Sequence, residues 1–170
     1  MVQETLSRIA TLAIAATIML ICFFVDVAPE KVGIMQSASL CNRLTYSFFH
    51  ASFLHAFMNV WCLLSIVFIY PISFWSLLLA FGIAVSFPID TLCGISPIFA
   101  FTMPTVGLSG VCFALMGRIS FMVSRKWYYQ SWLAFYILLG FIFPNTNGWL
   151  HLYCYLMGVL VGFLNKPIRC

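Results

Sequence analysis

Charge is what this sequence lacks. Only 7% of its 170 residues are charged, and just four of those are acidic. A water-soluble domain carries roughly 25% charged residues, so this chain has too few to solvate its surface in water. The eight basic residues are scattered and give a formal net charge of +4 without forming a patch, which excludes a nucleic-acid footprint. The seven cysteines (Cys22, Cys41, Cys62, Cys93, Cys112, Cys154, Cys170) show no Cys-x-x-Cys and no Cys/His ligand spacing, so neither a metal centre nor a redox motif is expected. Most of them fall inside apolar runs, where a thiol behaves as a small hydrophobe. Cys41 and Cys93 fall in loops, and their spacing leaves a pairing between them open. Carboxylates are missing from the apolar runs, which argues against an ion-coupled transporter. Strand-period alternation is missing too, which argues against a transmembrane barrel.

What is present is apolar. Hydrophobic residues make up 64% and aromatic residues 18% of the chain, and the mean hydropathy is +1.07. A spanning helix needs about 20 mostly apolar residues, and the sequence divides into six such runs: 9–25, 50–70, 73–87, 109–123, 128–143 and 149–164. Each ends on a stop signal: Asp26 to Lys31, Pro71, Pro88 with Asp90, Arg125 with Lys126, Pro144 to Gly148, and Lys166 with Arg169. The first run lacks an A-x-A-type cleavage site and five more follow, so it is read as a span rather than a signal peptide. The expectation is an all-α membrane protein, one domain over 1–170 with six transmembrane helices.

An even number of spans puts both termini on one side of the bilayer. That side then holds Arg8, Arg125, Lys126, Lys166 and Arg169, and the other holds Lys31 and Arg43. The positive-inside bias predicts N-in, C-in. Arg118, within the fourth run, is placed to snorkel toward the inner end. Polar groups within spans are expensive and mark function. The candidates are His50, His55 and Asn59 in the second run, Ser109 in the fourth and His151 in the sixth. These three spans run the same way, so depths compare directly. At roughly 1.5 Å per residue, Ser109 lies about 24 Å from Arg125, His151 about 22 Å from Lys166, and His55 about 22 Å from Tyr70. In a hydrocarbon core about 30 Å thick, all three sit several Å beneath the outer surface.

Ser109 stands in Gly107-Leu-Ser-Gly110, a good helix start, where the ordinary role of a serine is an N-cap. Packing offers it another. The stripes Gly110–Ala114–Gly117 and Cys154–Gly158–Gly162 let the fourth and sixth spans approach closely, which sets Ser109 beside His151. A serine beside a histidine is a nucleophile with its general base, and acyl transfer also needs donors aimed at the developing oxyanion. His55 and Asn59, at i and i+4, share a helix face. The Ser109 N–H at a helix N-terminus is a third donor. His50 lies on a different face from His55 and is expected to tie down a loop. A nucleophile, a base and an oxyanion set at one depth predict an acyl-transfer site.

The stretch His50-Ala-Ser-Phe-Leu-His55-Ala-Phe-Met-Asn59 resembles the HxxxxHxxxN motif of rhomboid intramembrane serine proteases, and Gly107-Leu-Ser-Gly110 resembles their GxSG. His151, opening the last span ahead of Gly158, is similar in place to the family's catalytic histidine. The resemblance covers about 44–162, with the motifs in the family's order. It implies a compact rhomboid-like six-helix bundle with a Ser-His dyad, no third acid, no cofactor and no metal. Ser109 would be the nucleophile and His151 the base. His55, Asn59 and the Ser109 N–H would form the oxyanion hole, with His50 structural, Phe113 stacked on His151, and Gly107, Gly110 and Gly158 in supporting positions. Phe113 stands where the family often has Tyr, and Cys154 where it often has Gly. Cys41 and Asn42 stand where it often has Trp-Arg, with Arg43 one residue later. The implied reaction is cleavage of another protein's transmembrane segment, unwound near its outer end. Water would enter from the outer face, with the fifth span and the loop before the fourth as gates. The alternative is an inactive rhomboid-like protein that binds membrane clients. Such relatives usually lose the serine or the histidine, and this chain has both. A core without extensions points to a bacterial plasma membrane.

Overall fold

The computed structural model describes residues 2–96, 104–143 and 146–165. The first apolar run lies in α1, Val2–Phe24, which starts well before Ile9 because Gln3 to Arg8 contains good helix formers. Two short helices, α2 (Pro29–Val32) and α3 (Leu40–Thr45), and a 3-10 turn over Tyr46–Phe48 make up the first loop. There follow α4 (Phe53–Ile69), α5 (Phe74–Val85), α6 (Ile89–Ile95), α7 (Ser109–Ile119), α8 (Lys126–Ile142) and α9 (Gly148–Leu164). Among the described residues the β structure is an isolated antiparallel bridge between Ile34 and Thr105. Helix starts within an apolar protein need partners for their first N–H groups, and side chains supply them: Ser52 caps α4, Ser73 caps α5 and Asn147 caps α9.

The run Val2–Phe24 and the joined run Phe74–Ile95 are each long and apolar enough to cross a membrane. Leu40–Phe48 and Phe53–Ile69, bent by 86° at their break, make a third candidate, whereas α7 and α9 are apolar but shorter. Two expectations are adjusted. The second run is helical only from Phe53, because Ser52 adopts an extended conformation and its hydroxyl accepts the His55 N–H at 3.2 Å; His50 is left outside the helix. The fourth run is helical only as far as Ile119, about 16 Å of helix. Beyond it the chain turns, with the Ser120 hydroxyl donating back to the Met116 carbonyl. Lys166 and Arg169 lie outside the described residues. Cys41 and Cys93 are not bridged.

The buried axis of the bundle is α7, with α4, α5 and α9 packed around it. Its contact with α9 is the most extensive between any two elements, and the small-residue stripes explain it. A Cβ on Gly158 would lie 2.0 Å from the Ala114 carbonyl oxygen, and one on Gly117 would lie 2.2 Å from the Tyr155 carbonyl oxygen. The backbones touch where side chains would otherwise stand.

Contacts at opposite ends give the helix directions. The rings of Phe23 and Phe53 are 5.4 Å apart at one end of the α1–α4 pair, and the Arg8 guanidinium lies over Phe68 at the other, so these helices are antiparallel. Phe141 packs on Trp149 at 4.8 Å while Tyr155 hydrogen-bonds Gln130, so α8 and α9 are antiparallel too. Gly110 packs toward Cys154 and Gly162 toward Arg118, so α7 runs parallel to α9, and Gly107 just ahead of α7 lies against His55 in the first turn of α4; the starts of α4, α7 and α9 gather at one end of the molecule.

The first loop is fastened at that same end. Arg43 pairs with Asp90 at 2.5 Å and donates to the Phe87 carbonyl at 2.9 Å. The Ser37 N–H donates to the other Asp90 oxygen. Asn42 Nδ2 donates to the carbonyls of Lys31 and Gly33. The outward faces of the long helices carry exposed Phe24, Trp61, Trp75 and Leu164, an apolar girth suited to lipid.

Candidate active site

The first helical residue of α7 is Ser109, and the N-cap position falls on Leu108, with no side chain capping it. The serine hydroxyl is therefore not spent on the helix start, contrary to its ordinary role. Ser109 Oγ lies 2.9 Å from His151 Nε2 instead. The loop that presents it is anchored at two consecutive amides: the Gly107 N–H donates to the Tyr46 carbonyl at 3.0 Å, and the Leu108 N–H to His50 Nε2 at 3.3 Å. His50 thus sits behind the serine and fastens the loop that carries it. Tyr46 is itself held by its hydroxyl, which donates to the Ala84 carbonyl at 3.1 Å.

His151 lies in the first turn of α9. Its ring is buried, 7% exposed, and stacks on Phe113 with centroids 4.3 Å apart and planes at 20°. Its other nitrogen, Nδ1, is buried and has no hydrogen-bond partner among the described residues. With the proton on Nδ1, the Nε2 lone pair faces the serine hydroxyl as an acceptor. Ring stacking, rather than a carboxylate, holds the imidazole in place.

Across the site are His55 and Asn59, one turn apart on α4. Asn59 is buried, and its Nδ2 has no hydrogen-bond partner among the described residues, so an amide donor stands unspent beside the loop. The reason it is reachable is Gly107. Its φ of +115° is a conformation that side chains disfavour, and a Cβ there would lie 2.8 Å from His55 Cε1, 2.9 Å from His55 Nε2 and 3.3 Å from Asn59 Nδ2. Any residue but glycine would fill the space before these donors. Cys112, one turn into α7, bonds the Asn59 carbonyl through its thiol at 3.6 Å and ties α4 to α7 at this level.

Ser109, His151, Phe113, His55 and Asn59 are thus drawn to one place, with His50 and Gly107 behind and beside them. Gly110 and Gly158 do not face it. Gly110 packs toward Ala84, the Tyr46 hydroxyl and Cys154, and Gly158 lies against Ala114. Among the described residues no cluster of His, Cys, Asp or Glu could hold a metal ion. The arrangement has the parts that acyl transfer needs: a hydroxyl with a proton acceptor, and the unpaired Asn59 amide beside the loop that carries it.

Sequence reasoning missed four supports of this site: Tyr46, Thr105, Asn147 and the Arg43–Asp90 pair. Asn147 was legible, because Asn-Gly ahead of an apolar run is a helix-start signal. The others carry no local signal, since their partners lie far away along the chain.

The family model described as the Rhomboid domain matches residues 37–167. Neither a curated protein nor a solved structure matches the chain.

Proposed function

Because the chain belongs to the rhomboid family and is an integral membrane protein, we propose that it is an intramembrane serine endopeptidase working through a Ser109–His151 dyad. The observation that carries this reading is the 2.9 Å contact between Ser109 Oγ and His151 Nε2, with the ring stacked on Phe113. In the proposed reaction His151 Nε2 takes the Ser109 proton as Oγ attacks the scissile carbonyl carbon. The oxyanion that forms accepts from Asn59 Nδ2, His55 and the Ser109 N–H. The intermediate then collapses, and Nε2 returns its proton to the leaving amine. Water, deprotonated by the same nitrogen, then attacks the acyl carbon, and Nε2 returns that proton to Ser109 Oγ as the carboxylic acid leaves.

The substrate in this reading is a transmembrane segment of another protein, and the chain is one domain. Six passes with both termini inside fit the alternating directions of the long helices. Helices as short as α7 fit too, because it starts at the sunken serine rather than at the membrane surface. The test is covalent labelling of the purified protein by a fluorophosphonate, with Ser109→Ala beside the wild type. Labelling of the wild type alone is expected. If the wild type stays unlabelled, the reading shifts to a client-binding protein without protease activity. Labelling of Ser109→Ala would place the nucleophile elsewhere.

A further inference from the structure

One side-chain contact joins the two segments that lead into the reacting pair. Thr105 stands one helical turn's worth of chain before Ser109, and Asn147 the same distance before His151. Asn147 Nδ2 donates to Thr105 Oγ1 at 2.9 Å. The other end of that amide is used within α9: Oδ1 accepts the Leu150 N–H at 2.9 Å. The Asn147 backbone carbonyl accepts the His151 N–H at 3.2 Å. With Oδ1 committed to the cap, the NH2 end is the one that faces Thr105. Thr105 is held from its other side by Ile34, with which it exchanges both backbone hydrogen bonds, at 2.9 and 3.0 Å.

We propose that the Asn147–Thr105 hydrogen bond is a brace that sets the distance between Ser109 and His151, with Thr105 and Asn147 as positioning residues. The inference rests on the protease reading. Its physical basis is leverage. The close backbone contacts between α7 and α9, Gly158 on Ala114 and Gly117 on Tyr155, lie inward of the dyad. Ser109 and His151 sit at the outer ends of both helices, where a small rotation about those contacts moves Oγ away from Nε2. The brace ties the two helices' leading segments on the outward side. A misplacement of about 1 Å can slow a reaction 10²-fold, whereas one neutral hydrogen bond is a small part of a fold's stability.

The experiment measures the labelling rate of the whole purified chain with a fluorophosphonate at saturating probe, together with the thermal midpoint. Thr105→Val keeps the shape and removes the acceptor. It is expected to slow labelling about tenfold or more while leaving the midpoint nearly unchanged. Thr105→Ser restores the hydroxyl and is expected to recover most of the rate. Asn147→Ser retains a helix cap but is too short to reach Thr105, so it should slow labelling similarly. Combined with Thr105→Val it should add nothing further, as for two members of one interaction.

A purely structural role would lower the fraction of protein that labels, not the rate of the folded fraction. Should Thr105→Val lose its thermal transition, Asn147→Ser carries the same test. Wild-type rates in Thr105→Val, or a Thr105→Ser as slow as Thr105→Val, would overturn the brace alone. An unlabelled wild type would overturn the protease reading, and the brace with it.

Discussion

At Ser109 a hydroxyl has two uses open to it, a helix cap or a partner for an imidazole, and the backbone decides. Because Leu108 takes the cap position, Ser109 becomes the first residue of α7 and its Oγ turns to His151. The same logic applies to Asn59, whose amide is buried with no partner for Nδ2 among the described residues. A buried donor left unpaired is costly, and a group kept that way suits charge that arises only during reaction. Asn59→Ala is therefore expected to lower kcat by 10²–10³-fold, about 2.7–4 kcal/mol, with little change in KM. The measurement is steady-state cleavage of any transmembrane peptide that the wild type cuts. A raised KM with kcat untouched would show that the amide holds the ground-state substrate instead.

For the elements, the decisive contact is α7 on α9. Two helices whose backbones touch hold their side chains in fixed register, and this pair carries the serine and the histidine. A single methyl at Gly158 has nowhere to go, since its Cβ would stand 2.0 Å from the Ala114 carbonyl oxygen. Gly158→Ala is expected to part the helices, costing about 1–3 kcal/mol as other overpacked sites do. On the proposed protease reading the cleavage rate should fall further than stability does, because a misplacement of about 1 Å can slow a reaction 10²-fold. Leu160→Ala, at a position 47% exposed on the outward face of α9, should leave the rate near that of the wild type. Both variants are compared by cleavage rate and thermal unfolding in detergent. A fully active Gly158→Ala would mean that the helices separate without carrying Ser109 away from His151.

Over the whole molecule, the first loop connects distant parts. Arg43 and Asp90 join it to the junction of α5 and α6, and the Tyr46 carbonyl joins it to Gly107. The pair is partly open to solvent, with side-chain exposures of 18% and 49%. Its ion-pair component should therefore contribute only about 0.2–1 kcal/mol. Arg43→Ala is expected to destabilise more than Asp90→Ala, because it also leaves the carbonyl of buried Phe87 without its donor. Thermal unfolding of the two single variants and the double variant separates the shared ion pair from the rest. An equal or larger loss in Asp90→Ala would show that the Ser37 N–H contact is the main anchor of the loop.

The sequence by itself determined the solvent of this protein. Hydropathy is a local property: a run such as 9–25 reads as a membrane helix from its own residues, and α1, Val2–Phe24, is long and apolar enough to cross a membrane. The glycine and small-residue stripes were equally legible, since a helix repeats its faces at fixed spacing. What only the tertiary structure decided lies in the loops. Arg43 reaches Asp90 across 47 residues and Asn147 reaches Thr105 across 42. No periodicity links such pairs, and each residue alone reads as a charge at a membrane edge or as part of a turn. His50 shows the same limit. Counted along a helix it lies on a different face from His55, but the chain breaks at Ser52 and the two rings stand 5.0 Å apart. A hydrogen bond between loops depends on where the helices deliver their ends, and that follows from how the whole bundle packs.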